Sequence, residues 1–420
     1  MGRTLVLLLI LSVSLVNLSC TQEHTSSQSD FLRLKNLYDS KNYFELRDQL
    51  NNQEKSNKSV ALFFEAALEK AFNNPINSNQ LIAQALDLGL VPDSLQVELQ
   101  MMKMNNHLRL HEYDKLLRAA EKILEVPNLS KEQKKDISNT RLIAKALQGI
   151  PSQKITKSGD SEIVLTGTHF DVNINGHERD YAYDTGANYS ILMKSEAESL
   201  DLIVREVGID VGTATGKQVK GDIAVADSLI IGNMTFEHVI FLIFPDEALT
   251  FPGGFKLHGL IGFPVLEAMK ELQFHDGKIF VPENPVQRNI QNLALDGLTP
   301  LIEFKYKGNE LVGSFDTGAN KTVFFKPFFQ NFLADNANST SLDTVKSGGV
   351  GGVVAHPVYN IGRINIELSN SSILLQNVYA HTETLKKDTE DQLYANIGLD
   401  VLGELDRYIL NFEEMALIIE

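Results

Sequence analysis

The pentapeptide Asp-Thr-Gly-Ala-Asn occurs twice in the chain, at residues 184–188 and again at 316–320. A single Asp-Thr-Gly is most often a turn in which a short acidic side chain caps its own backbone. Two copies open a different chemistry. If folding brought Asp184 and Asp316 into contact, one carboxyl could stay ionised while the other kept a proton. The first would take a proton from water and the second would give one to a carbonyl oxygen, which is what hydrolysis of an amide needs. At ~4 Å and an effective dielectric near 20, two like charges repel by about 4 kcal/mol. That equals roughly three pKa units, so one proton stays on the pair over a broad pH range and belongs to both groups.

The surrounding residues show what must position the two turns. After about residue 162 the apolar pattern alternates with a period of two, in "EIVLTG", "HFDVNING", "IAVADSLIIG" and "HVIFLIF", and these segments are expected to be strands. "DVNINGHERDYAYDTGANYSIL" lies over "EFKYKGNELVGSFDTGANKTVF" at an offset of 132 residues, with Gly176 and Gly308 each eight residues before the aspartate. Further on, "LIGFPVLEAM" (260–269) corresponds to "NIGLDVLGEL" (396–405). The aspartate-to-glycine distance is 78 residues in the first copy and 82 in the second. The pentapeptides therefore belong to a duplicated unit of about 120 residues, and two such lobes can pack about a pseudo-two-fold axis.

With both motifs present in order in each copy, residues 160–420 resemble the retropepsin-like aspartic proteases. The resemblance implies an all-β bilobal acid-protease domain in which Asp184 and Asp316 are the catalytic pair. It implies that Thr185 and Thr317 bond across the lobe interface, and that the runs ending in Gly262 and Gly398 pack behind the acidic turns. Gly186 and Gly318 let the backbone approach the opposite lobe. Ala187 and Ala319 stand where pepsin-like members usually carry Ser or Thr. Without a hydroxyl donor the pair should titrate higher, which predicts activity at mildly acidic to near-neutral pH. The segment 210–222 has no flap tyrosine, and the Gly-rich "SGGVGGVVA" (347–355) allows a second flap, a more retroviral than pepsin-like arrangement. The segments "FPGGF" and "FFKPFF" fit either subsite lining or core packing.

Residues 31–148 read as helical, with apolar positions every three or four residues and turn signals at Asn73-Asn74-Pro75, Val91-Pro92-Asp93 and Val126-Pro127-Asn128. Leu46, Leu81 and Leu116 recur at 35 residues, and Tyr43 and Tyr113 each precede such a leucine by three, which resembles helix-pair repeats of the tetratricopeptide type. Such an array offers a groove to a protein segment. The expected organisation is thus multidomain: an all-α helical-repeat-like domain (31–148), a linker (149–161), lobe one (162–283), an interlobe linker (284–299) and lobe two (300–420).

Residues 1–20 join Arg3, an apolar core from Leu5 to Val16, and Ser19 before Cys20, the one cysteine of the chain. This resembles a bacterial lipoprotein signal, with Asn17 where leucine is usual, and implies lipidation of Cys20 and a polar spacer over 21–30. An exported chain with no other cysteine has no disulfides and rests on packed cores. Asn188 and Asn320 begin N-glycosylation sequons beside both acidic turns; glycans there would block a cleft, which favours a bacterial envelope over a eukaryotic secretory route. The formal charge of -16 argues against nucleic acid. No His/Cys cluster with metal-ligand spacing and no phosphate-cradling loop is present, so no metal or cofactor is expected. The expected activity is aspartic endopeptidase acting on polypeptides; the competing expectation is a non-catalytic envelope protein that holds a polypeptide in the same fold.

Overall fold

A computed structural model describes residues 29–51, 58–89, 93–213, 215–334, 342–384 and 391–420. The expected signal segment, Cys20 and nearly all of the spacer lie outside them.

The N-terminal part is helical, as expected: α1 (29–39), α2 (Tyr43–Asn51), α3 (Lys58–Ala71), α4 (Pro75–Asp87), α5 (Asp93–Arg109), α6 (Tyr113–Leu124) and α7 (Lys131–Ala146). Local chemistry sets the boundaries. The Asn74 side chain accepts the N–H of Asn77, with Pro75 in the first turn of α4. Ser130 and Gln133 form a reciprocal capping box at the start of α7. The same helix start is used twice: Lys41 and His111 take left-handed φ values, and Tyr43 with Leu46, and Tyr113 with Leu116, are then buried.

This helical layer is packed against both lobes. Leu46, Phe63 and Leu99 share a core with Leu301, Val312 and Phe325 of the second lobe. Leu116, Ile123 and Ile137 share one with Ile191, Ile209 and Leu242 of the first. Polar ties cross the same surfaces. Lys41 Nζ lies 3.2 Å from Asp296 Oδ1. Arg109 pairs with Glu267. Asn139 of α7 exchanges two hydrogen bonds with the backbone of Asp210, at 3.0 and 3.2 Å.

The β region consists of two rings of strands joined by a sheet. In the first lobe the ring runs through strands His169–Ile174, His177–Asp184, Gly259–Gly262, Ser190–Met193, Met234–Phe244 and Gln218–Ile231, and closes because the last pairs with the first. The second lobe repeats it with Thr299–Tyr306, Asn309–Phe315, Ala395–Ile397, Val323–Phe324, Ser371–His381 and Gly352–Leu368. Closure leaves few free edges within each ring. From each ring a hairpin projects, Arg205–Gly212 with Gln218–Ile231 in lobe one and Leu342–Gly349 with Gly352–Leu368 in lobe two.

A five-stranded antiparallel sheet connects the lobes. At its centre Glu271–His275 of the first pairs with Arg407–Asn411 of the second, with Glu271 opposite Asn411 and His275 opposite Arg407. Each of these strands follows a short helix and the glycine of the Leu-Ile-Gly or Asn-Ile-Gly run, so the pseudo-two-fold axis passes between them.

Both expected linkers turn out to contain a strand. Lys154–Lys157 adds to the first ring opposite Met234–Glu237, and Leu293–Asp296 adds to the second opposite Thr299–Ile302. Each covers an edge that would otherwise expose unpaired backbone. The remainder of the interlobe segment is tied down by charge. Glu271 is fully buried and receives Arg288 through two bonds of 2.9 and 3.2 Å, Asn411 at 3.0 Å and the Val286 N–H at 3.1 Å. Saturating a buried carboxylate in this way offsets its desolvation.

Candidate active site

The two Asp-Thr-Gly turns meet at the lobe interface. Asp184 ends strand His177–Asp184, which pairs in parallel with Gly259–Gly262, Asp184 lying opposite Gly262. Asp316 follows strand Asn309–Phe315, and its N–H donates to Ile397 O at 2.9 Å. Each turn closes on itself in the same way: Gly186 N–H donates to Asp184 Oδ1 at 2.8 Å, and Gly318 N–H to Asp316 Oδ1 at 2.9 Å.

The contact between the carboxyls and the opposite turns is read from the glycines. A Cβ on Gly186 would lie no farther than 3.0 Å from all three carboxyl atoms of Asp316, and one on Gly318 no farther than 2.6 Å from those of Asp184. Each carboxyl therefore occupies the space that the other lobe's glycine leaves open, and any side chain there would displace it.

The threonines lock the turns together. Thr185 N–H donates to Thr317 Oγ1 at 2.9 Å, and Thr317 N–H donates to Thr185 Oγ1 at 3.0 Å. The Thr185 hydroxyl in turn donates to Phe315 O at 3.0 Å. Both side chains are buried, so these bonds have no water to compete with them. Ala187 and Ala319 place their backbone carbonyls on the neighbouring run: Ala187 O accepts from Phe263 N–H and Ala319 O from Leu399 N–H.

The runs behind the turns behave alike in the two lobes. Ser190 Oγ accepts the Gly262 N–H, and Thr322 Oγ1 accepts the Gly398 N–H, both at 3.0 Å. A Cβ on Gly262 would strike the Tyr189 and Ser190 backbone, and one on Gly398 the backbone of Ala319 and Lys321. Ser190 and Thr322 were not singled out in the sequence, although both sit six residues after an aspartate. Asn396 was also missed, being counted within an apolar run. Its Nδ2 donates to Asp316 Oδ2 at 2.9 Å, and its Oδ1 accepts from Ser314 Oγ at 2.5 Å.

Electrostatically the site favours a shared proton. Burial first, and the facing Asp316 carboxyl second, push the Asp184 carboxyl up to about 8, against the N–H of Gly186, which pulls it down.

The two projecting hairpins meet at their tips. Gly351 N–H donates to Ala248 O of the first lobe at 2.9 Å, and Lys217 Nζ donates to Gly351 O at 3.2 Å. A Cβ on Gly351, where φ is +89°, would lie 3.0 Å from Val219. Of the two aromatic segments, Phe324, Phe325 and Phe328 are buried core, whereas Phe255 is 63% exposed beside Phe251.

With this geometry in hand, comparison with known proteins gives a concordant result. Residues 170–265, which run from before the first acidic turn to just past Gly262, match the family model described as aspartyl protease. No curated protein sequence matches the chain. Among solved structures, the chain is similar to the crystal structure of a retropepsin-like aspartic protease from Rickettsia conorii, at 18% identity and a TM-score of 0.22, over 31% of this chain and 92% of that one. The chain is a helical region followed by a bilobal all-β region. Its first lobe is the part that the aspartyl protease family model recognises.

Proposed function

We propose that the chain is an aspartic endopeptidase in which Asp184 and Asp316 activate one water between them. The observation that carries this reading is the reciprocal fit of each carboxyl into the gap left by the opposite glycine. That fit brings the two carboxyls together at the lobe interface, where they can share one proton. A bound water loses a proton to the ionised carboxyl as it attacks the scissile carbonyl, and the protonated carboxyl donates to the carbonyl oxygen. Collapse of the tetrahedral intermediate returns a proton to the leaving amine, so no metal or cofactor enters. The threonine lock holds the two turns at a fixed separation, which supports geometry tight enough for this transfer.

In this reading an extended polypeptide would lie between the dyad and the two hairpins, whose meeting tips would exclude water once it is bound. The helical layer supports both lobes and is a candidate surface for a protein partner. Export to a bacterial envelope and lipid anchoring through Cys20 belong to the same proposal, on the strength of the N-terminal twenty residues.

The test is turnover of an unfolded protein or a peptide library by the full chain from about pH 2 to about pH 8. Cleavage inhibited by a pepstatin-type compound, with an optimum at mildly acidic to near-neutral pH, is the expected result. A profile peaking below about pH 3 would contradict the raised titration of the pair. Binding of polypeptide without cleavage at any pH would replace the enzyme with a scaffold. Mass measurement after radiolabelled palmitate or glycerol feeding tests the lipid on Cys20.

A further inference from the structure

The lobes are alike at the acidic turns but differ at one register position behind them. In the first lobe, Ala182 pairs with Leu260 across the parallel strands; at the equivalent position in the second, Ser314 pairs with Asn396. An apolar pair on one side of the axis thus faces a polar pair on the other. The Ser314 hydroxyl donates to Asn396 Oδ1, which turns the amide nitrogen toward Asp316.

Resting on the protease reading, we propose that Asn396 is a positioning residue that places the shared proton on Asp184 and leaves Asp316 to accept the proton of the attacking water. Both oxygens of Asp316 accept an N–H, Oδ1 from Gly318 and Oδ2 from Asn396. Asp184 has the equivalent glycine bond to Oδ1 and the pull of the Ala187 N–H in its own turn, but Leu260 stands where the second lobe has a side-chain amide. A donor aimed at a carboxylate favours its charged form, so the proton settles on the carboxyl that lacks the side-chain amide. The raised titration of Asp184 agrees with that placement. The groups facing Asp316 are Asp184 from the opposite lobe, Asn396 on the adjacent strand and Gly318 in its own turn. Lys321 and Asp400 pair with each other at 3.8 Å beside that turn, and Lys217 at the hairpin tips is engaged by Gly351 O. Asn396 therefore turns a two-fold arrangement into one with an assigned acid and base, and fixes which face of the dyad a substrate carbonyl meets as donor.

The test uses the full chain with Asn396→Leu, the residue of the first lobe, together with Asn396→Ala and Ser314→Ala. Two readouts are taken: titration of 13Cγ-labelled aspartate by NMR, and the pH profile of kcat/KM. Loss of the amide makes the singly protonated pair less favourable relative to the doubly protonated one. The lower titration step and the acid limb should rise by about one pH unit in both Asn396 variants. The upper step should stay, because the amide serves an ionised Asp316 on both sides of it. Ser314→Ala should shift the lower step in the same direction by less. A lower step that stays within about 0.2 units in all three folded variants would overturn the assignment. So would a uniform fall in rate with unmoved limbs, which is what a merely structural residue gives. If the wild type cleaves nothing, the protease reading fails by itself, while the NMR titration still decides whether Asn396 sets the proton.

Discussion

Ala182 against Leu260 in one lobe and Ser314 against Asn396 in the other mark where two copies of one ring of strands diverge. Everything that brings the carboxyls together is shared: the glycine gaps, the threonine exchange, and the Ser190 or Thr322 bond to the glycine behind. What differs lies just outside that set. The hairpins diverge too. That of the first lobe is held along its length, by Asn139 on Asp210 and by Asp222 Oδ1, which accepts the N–H groups of Val207 and Gly208 at 2.8 and 3.0 Å. That of the second lobe reaches across and attaches by its tip to Ala248 and Lys217. Duplication supplies a scaffold that must stay symmetric at the axis and is free to change one step away from it.

The largest effect should come from the shared set. Gly186→Ala and Gly318→Ala each force a Cβ into the opposite carboxyl, and displacement by about 1 Å should lower kcat/KM on the order of 100-fold. Comparable losses in steady-state cleavage by both variants would uphold the symmetry; a silent change in either lobe would break it.

Asp184 should next reveal itself in stability against pH. Its folded pKa is raised above the ordinary value, so the native state holds a proton that the unfolded chain has released. That contribution is present below about pH 4 and is lost as pH climbs toward 8. Asp184→Asn removes the loss, so the variant should be more stable than the wild type at pH 8, by a few kcal/mol at most. Denaturant midpoints at pH 4 and pH 8 check this, and equal wild-type and variant slopes would refute it.

The threonine lock should separate the lobes more finely. Thr185→Val strands both the Thr317 N–H and Phe315 O, whereas Thr317→Val strands only the Thr185 N–H. Costs of about 2–3 and about 1–2 kcal/mol are expected in chemical unfolding, in that order.

The smallest effect is expected at the held hairpin. Asn139→Ala should raise amide exchange at Asp210 by the equivalent of about 1 kcal/mol and leave the second lobe's hairpin unchanged. Faster exchange at both hairpins would mean that they move as one.

Much of this was legible in the sequence because duplication repeats whatever the chemistry requires. Asp, Thr and Gly return at a fixed offset, so the two turns and the glycines behind them stood out, and so did the change from helical to alternating periodicity near residue 160. Asn396 did not, for a physical reason: one polar residue inside an apolar run keeps the strand pattern, and only its partner shows its use. Laying the copies side by side exposes it, since Ser314 and Asn396 replace Ala182 and Leu260 together. The strands at Lys154–Lys157 and Leu293–Asp296 were hidden in segments whose turn-forming residues dominate the composition. The reach of the helical layer across both lobes was not readable either, because an amphipathic face states that it is covered but not by what.

The most direct trial of the account is turnover by the full chain carrying Asp184→Asn or Asp316→Asn, each nearly isosteric with the wild type, near the pH of wild-type maximum activity. The account predicts that each single change abolishes cleavage while circular dichroism and the thermal transition show an intact fold. Cleavage surviving in either variant would show that the two carboxyls do not act as one group.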